Sequence, residues 1–278
     1  MNKMKILLMI SLFYTFVYAE STTVKLSYEN LNFDNSKKKD NGNRYGILLD
    51  YEDNNSLFQV AYNKTNTDTF KPPLIEDLHV NKYYLKYTHA MDDLQKLSLS
   101  YASIDDNLMK ETDGGNIYGL GYSYGDFDLV QYLSDYKNFN VYQTDVTYTF
   151  ITSLSMFKIK TSLIGKYIHL QDKESNDFSR NAKDDYFTGG LKVHTHYNHY
   201  HIGAGAFFGK RVFAVMQDGF RIQHHAMEFN ETYMMILGKH FKSADVNLKY
   251  VYQNATEIPI ENENVHVQNI ILELAYHF

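Results

Sequence analysis

The chain has 278 residues, with 27 Lys plus Arg against 33 Asp plus Glu, a formal net charge of −6, no Cys and no Trp, but 25 Tyr and 18 Phe. This balance offers no basic face to nucleic acid, and the missing cysteines exclude disulfide frameworks, thiolate metal sites and thiol catalysis. A mean hydropathy of −0.43, with no apolar run of about 18 residues after the N-terminus, excludes a helical membrane protein but not a membrane barrel, whose strands turn half of their residues to a wet lumen.

Lys3 and Lys5 precede an apolar run from Ile6 to Val17, followed by Val17-Tyr18-Ala19. These are the three parts of a secretory signal peptide. We expect residues 1–19 to be cleaved and 20–278 to form a single domain. The alternative, an N-terminal membrane anchor, needs a longer run than this one.

From there, apolar and polar residues alternate with period two. Val24, Leu26 and Tyr28 form the first apolar row, and Tyr45, Ile47, Leu49 and Tyr51 the second. Phe58-Val60-Tyr62, Tyr83-Leu85-Tyr87, Leu97-Leu99-Tyr101 and Tyr118-Leu120-Tyr122-Tyr124 continue it. The stretch 127–134 reads as a strand of ambiguous face. Rows then run through Tyr142 to Phe150, Phe157 to Tyr167, Leu191-Val193, Ile202 to Phe208, Tyr233 to Leu237 and Val246 to Tyr252, ending on Ile270-Leu272-Leu274-Tyr276-Phe278. Tyr at the ends of the apolar rows suits two lipid–water boundaries. The opposite row is too polar for a dry core, because each unpaired buried polar group costs about 1–3 kcal/mol.

Connections alternate in length. Short ones are expected at Asp53-Asn54-Asn55, Met91-Asp92-Asp93, Gly125-Asp126, Thr152-Ser153, Tyr197-Asn198 and Lys242-Ser243. Longer ones are expected near 35–43, 66–79, 105–116, 171–184, 210–226 and 255–263, and these hold all 3 prolines. The connection near 135–140 is short where a long one is due. The expected fold is an all-β, closed antiparallel transmembrane barrel of about 14 strands, with 12 or 16 as alternatives.

The final segment, Ile270 to Phe278, alternates and ends on an aromatic, with Tyr276 two residues before Phe278. With the leader and the strand pattern, it resembles the bacterial outer-membrane β-barrel class, in size similar to monomeric porin-like barrels. The resemblance implies residence in the bacterial outer membrane among lipid and lipopolysaccharide. It also implies that Tyr276 and Phe278 act as the signal read by the barrel-assembly machinery, and that small hydrophilic solutes are the cargo.

The densest group of chemistry-bearing residues is His194-Thr195-His196-Tyr197-Asn198-His199-Tyr200-His201. A two-residue turn at Tyr197-Asn198 would pair His196 with His199 and His194 with His201, placing four imidazoles on the lumen face. They would bind a divalent ion, or charge together below about pH 6.5 and loosen the hairpin as a pH gate, or simply end a solvated hairpin. His224-His225 reads as a solvated pair. The expected lumen row is mixed in charge: Lys82, Lys86, Lys96, Lys158, Lys160, Lys166 and Lys192 against Asp145, Asp245 and Glu273. Rings of such groups set the field of a pore.

No Ser–His spacing suggests a hydrolase, and the pairs Asp105-Asp106 and Asp184-Asp185 read as turn formers, because neighbours in a strand face opposite ways. No cofactor and no catalytic residues are expected. The expected function is passive diffusion of small solutes through a charged lumen. The alternatives are a non-conducting barrel with surface-binding loops and, less favoured, an outer-membrane hydrolase.

Overall fold

The computed structural model describes residues 21–109, 112–154, 157–173, 181–225 and 227–278; the expected leader lies outside them. Strands β1 (Ser21–Asp34), β2 (Lys39–Asp53), β3 (Ser56–Thr69), β4 (Leu78–Ala90), β5 (Gln95–Asp106), β6 (Asn116–Tyr124) and β7 (Phe127–Asp135) make the first half. Strands β8 (Asn140–Leu154), β9 (Phe157–Gln171), β10 (Asp185–Tyr197), β11 (Tyr200–Arg211), β14 (Met227–His240), β15 (Ala244–Glu257) and β16 (Asn262–His277) make the second. Two short strands, β12 (Val215–Met216) and β13 (Arg221–Ile222), form a separate hairpin between β11 and β14. The 14 long strands close into one antiparallel barrel, with β1 beside β16.

The seam is held along the whole of β1, from Thr23 opposite His277 to Asp34 opposite His266. The Phe278 amide adds a bond to the Thr22 carbonyl at 2.9 Å. Ser21, the first described residue, and Phe278 both lie at the end of the barrel that carries the tight turns. In two of those turns, Asn54 and Asn198 adopt left-handed φ of 47° and 54°, a conformation that asparagine tolerates. At a third, the Asp92 carboxylate accepts the amides of Leu94 and Gln95 at 2.8 and 2.7 Å. These bonds hold the Asp92 carboxyl below the usual carboxylate range.

The outward face follows the alternation. Leu85, Leu99, Leu120 and Leu272 stand exposed between two aromatic belts. At the loop end, the cross-strand pairs Tyr28–Tyr45, Tyr62–Tyr83 and Tyr101–Tyr118 have ring centroids 5.3, 5.2 and 5.6 Å apart. Tyr28, Tyr62 and Tyr101 each donate a hydroxyl to an asparagine, Asn43, Asn81 and Asn116. At the turn end stand Phe58–Tyr87, Phe157–Tyr197 and Tyr276–Phe278. An exposed apolar band between girdles of amphipathic rings is the surface of a lipid-spanning barrel.

Three expectations about the connections are corrected. β8 runs through Thr152-Ser153 to Leu154, because the ladder with β9 continues to Leu154 opposite Phe157. The connections near 35–43 and 255–263 shrink to 35–38 and 258–261, as the strands extend beyond the membrane band. The histidine hairpin turns at Asn198-His199, with Tyr197 opposite Tyr200. The ambiguous stretch 127–134 is β7, with Leu129 exposed and Tyr132 buried inside. Its inward row is mixed: Asp128 and Val130 border the larger lumen cavity, while Tyr132 joins the buried apolar cluster and Ser134 is buried beside it.

Candidate functional site

The lumen is crossed by the connection after β11, whose residues 212–225 fold inward. Its departure begins with a bulge in β11 between Phe208 and Arg211. Gly209 takes φ +98°, and a Cβ there would lie 2.3 Å from the Phe187 carbonyl oxygen. Bulges re-aim the chain, and this one sends Arg211 inside. The Arg211 guanidinium is fully buried, bonded to the Thr232 hydroxyl and seated over the Phe229 ring.

Val212-Phe213-Ala214-Val215 follows and is wholly buried. Phe213 packs on Phe139 and Tyr136, with centroids 4.9 and 5.9 Å away. Around it, Leu78, Val80, Ile104, Val141, Ile168 and Tyr186 complete a hydrophobic cluster inside the barrel. The backbone of Val215 is bonded by one side chain: its amide donates to Gln143 Oε1 at 2.8 Å, and Gln143 Nε2 donates to its carbonyl at 2.7 Å. Lys166, itself paired with Asp145, also reaches this carbonyl, at 3.3 Å.

The tip is a tight turn in which Gln217, Asp218 and Gly219 have φ of 53°, 56° and 101°. Only glycine takes such a φ without steric cost, and a Cβ at Gly219 would meet the Tyr84 ring at 2.5 Å. Tyr84 donates its hydroxyl to the Asp218 carbonyl at 2.5 Å and packs on Phe220. On the return, Lys82 donates to the Ile222 carbonyl at 2.6 Å. Arg221 reaches Glu29 on the opposite wall at 2.5 Å, and Arg44 holds the other oxygen of Glu29 at 2.8 Å.

His224 Nε2 lies 2.9 Å from the buried carboxylate of Asp106, whose other oxygen caps Leu108 and Met109. Lys39 reaches His225. The solvated pair expected at His224-His225 is therefore corrected: His224 is buried because the loop enters the lumen. Burial, together with Lys82, Lys39 and Arg44, holds His224 well below the usual imidazole range.

Fourteen strands spaced about 4.8 Å and tilted about 40° enclose roughly 28 Å between backbones, and a two-stranded hairpin with its side chains takes up roughly half of what the wall side chains leave. Cavities of about 440 and 390 Å³ border the hairpin, and both touch Gln217, Asp218, Arg221 and Lys192. Around the larger, six basic residues face three acidic ones, Asp128, Asp145 and Asp218. Around the smaller the ratio is five to four. Many of these charges are paired: Lys166 with Asp145, Arg44 and Arg221 with Glu29, and Lys249 with Glu273 at 2.6 Å. Lys86, Lys160 and Lys192 line the larger cavity with no ion-pair partner among the described residues.

Of the residues singled out in the sequence, Lys86, Lys160, Lys166, Lys192 and Asp145 line the larger cavity, and Glu273 the smaller. Lys82 is buried against the inward loop. Lys96, Lys158 and Asp245 lie at the turn end of the inward row, where Asp245 bonds His240 and His277. Tyr276 and Phe278 stand exposed on the outer face, beside the seam.

His194, His196 and His201 come together, with ring centroids 4.6, 5.1 and 5.4 Å apart. His199 does not join them. The turn at Asn198-His199, one residue later than expected, puts His196 opposite His201 and His194 opposite Gly203, each partner two residues on from the expected one and still on the same face. The residues that dock the loop, Gln143, Tyr84, Glu29 and Arg221, were not legible as a group. The available signal was the apolar run Val212–Val215 followed by Asp218-Gly219 inside a long connection, which is a hairpin pattern.

No family model and no curated protein matches the sequence. Solved structures do match. The Acinetobacter baumannii outer membrane protein Omp33 superposes with a TM-score of 0.52 at 12% identity, over 93% of this chain and 99% of that one. A Pseudomonas aeruginosa FadL homologue gives 0.53 at 6% identity, over 94% and 90%. An outer membrane channel of Pseudomonas putida F1 gives 0.51 at 12%, over 93% and 96%. At these identities the likeness is one of fold. Together with the closed ladder and the belted apolar exterior, it makes the chain a fourteen-stranded β-barrel of the bacterial outer-membrane type.

Proposed function

We propose that the chain is an outer-membrane channel through which small hydrophilic solutes diffuse passively, with a preference for anions. The observation that carries this reading is the larger cavity, left beside the inward hairpin and lined by Lys86, Lys160 and Lys192, which have no ion-pair partner among the described residues. A barrel built only as an anchor has no need of a polar-lined cavity with an unbalanced field. The hairpin 212–225 narrows the path, and the lysines raise the local concentration of anions within it. Neighbouring barrels described as channels favour the same reading.

In this reading the residues 1–19 direct export and are removed. Lipid and lipopolysaccharide surround the aromatic belts, and the barrel-assembly machinery recognises the terminal strand through Tyr276 and Phe278. Deleting Phe278 then slows insertion of the mature barrel into assembly-competent vesicles without changing the conductance of the molecules that do insert.

The test is planar-bilayer recording of the refolded mature chain in a salt gradient. Stable single-channel steps with a reversal potential on the anion side are expected. The dry packing of the hairpin favours a second reading, a non-conducting barrel whose outer loops bind partners. A folded, heat-modifiable barrel that gives no conductance would select it.

A further inference from the structure

We propose that His194, His196 and His201 form a binding site for one borderline divalent metal ion, of the Zn²⁺, Ni²⁺ or Cu²⁺ class, at the turn-end mouth of the lumen. His194 and His196 are two residues apart on β10 and so share its inward face, and His201 is the direct cross-strand partner of His196 on β11. One ring nitrogen from each lies within 4.8 Å of the others. A tetrahedral ion with metal–nitrogen bonds of about 2.0–2.1 Å needs its ligands about 3.4 Å apart. Rotation of the side chains alone closes that gap, and the ladder keeps the backbone in place.

These three imidazoles are also uncommitted. His240 and His277 are bonded to Asp245, and His224 to Asp106. Among the described residues, no carboxylate or hydroxyl bonds the triad, and His194 Nε2 is buried without any hydrogen-bond partner. A buried polar atom left unpaired costs stability unless something meets it. A second such atom lies alongside. The row continues from His201 to Gly238 and Asn247 on β14 and β15. A Cβ at Gly238 would come within 2.0 Å of His201 Nε2 and 2.2 Å of Asn247 Oδ1, and that Asn247 oxygen is likewise buried and unpartnered. The glycine makes room for the imidazole and sets an unused oxygen beside it.

The donor set decides the metal class. Three imidazoles suit Zn²⁺, Ni²⁺ and Cu²⁺, whereas Ca²⁺ and Mg²⁺ require oxygen ligands. Lys160 and Lys158 stand opposite His194 and His196 on β9 and oppose a cation. At an open mouth this repulsion is screened over about 8 Å at physiological salt. It places the dissociation constant in the micromolar range and not the nanomolar.

The experiment uses the untagged mature barrel refolded in detergent, with Zn²⁺ titrated calorimetrically and Cu²⁺ followed by pulsed electron paramagnetic resonance. One ion per chain is expected, coupled to three imidazole nitrogens in the wild-type protein. His194→Ala and His201→Ala should each weaken binding by about 10–100-fold or more, while His199→Ala leaves it unchanged. Absence of wild-type binding at about 100 µM ion, far above a micromolar dissociation constant, would overturn the proposal. So would fewer than two coupled imidazoles, a reading that does not depend on any variant folding. Retention of full affinity in His194→Ala, or its loss in His225→Ala instead, would assign the ion to another site. Binding needs no pore, so the outcome is separate from that of the conductance test.

Discussion

Gln143→Leu isolates the docking of the inward hairpin. The side chain of Gln143 is 1% exposed and holds both backbone groups of Val215, at 2.8 and 2.7 Å. Leucine keeps most of the volume but removes both bonds, together with the one that Gln143 Nε2 donates to Asp145 Oδ1 at 2.8 Å, a carboxylate that keeps its Lys166 partner. Each buried backbone group left without a partner costs about 1–3 kcal/mol. The carbonyl keeps Lys166 at 3.3 Å, so the loss falls mainly on the amide and totals about 2 kcal/mol. At 1.4 kcal/mol per factor of ten, this shifts the ratio of docked to undocked hairpin by about 30-fold. Hydrogen exchange followed by mass spectrometry over residues 212–222 should show that segment exchanging about 30-fold faster, with the barrel strands unaffected. Single-channel traces should show new excursions to a higher conductance. Unchanged exchange across 212–222 in a folded barrel would refute the idea that Gln143 is an anchor.

Other consequences follow from the same arrangement. Replacing residues 214–222 by a short Gly-Ser linker should about double single-channel conductance, since the hairpin takes up roughly half of the lumen section; an equal conductance would mean that solutes do not share its level. Changing Lys86, Lys160 and Lys192 together to Gln should move the reversal potential towards zero, and an unaltered potential would place the selecting charges elsewhere. Docking should weaken on acidification from pH 7.5 to 5. Burial and the cations Lys82, Lys39 and Arg44 lower the His224 pKa in the docked state, against the pull of Asp106. The undocked imidazole, with a pKa of about 6.5, therefore binds protons first as pH falls. His224→Gln should flatten that dependence in exchange rates over 212–222, and a variant that keeps the full pH response would exonerate this residue.

Much of the barrel was legible because lipid imposes a simple rule on sequence: outward residues are apolar, and alternation follows from the strand's period of two. Tyr28, Tyr45, Tyr62 and Tyr83 mark one lipid boundary in the alternation itself, and Ile270 to Phe278 mark the closing strand. Turn positions were read to within a residue or two, and at the histidine hairpin that margin mattered. Asn198 lies in the turn under either register, so composition did not distinguish Tyr197-Asn198 from Asn198-His199. The choice was made by pairing along the whole of β10 and β11, and it removed His199 from the cluster.

The interior is where local pattern ran out. A polar inward row implies water only if nothing enters the lumen. Val130, Tyr132 and Val141 on that row blurred the alternation of β7 and β8, and the structure gives the reason: Val212 to Val215 pack nearby inside the barrel. Partners such as Gln143 and Val215, or Glu29 and Arg221, lie far apart in sequence, and no periodicity links them. Barrel, outward face and two belts are written residue by residue, because the lipid environment acts on each one separately. Which loop fills the lumen, which lysines lack an ion-pair partner among the described residues and which histidines meet are settled by the folded whole, because those outcomes depend on contacts between distant segments competing for one enclosed volume.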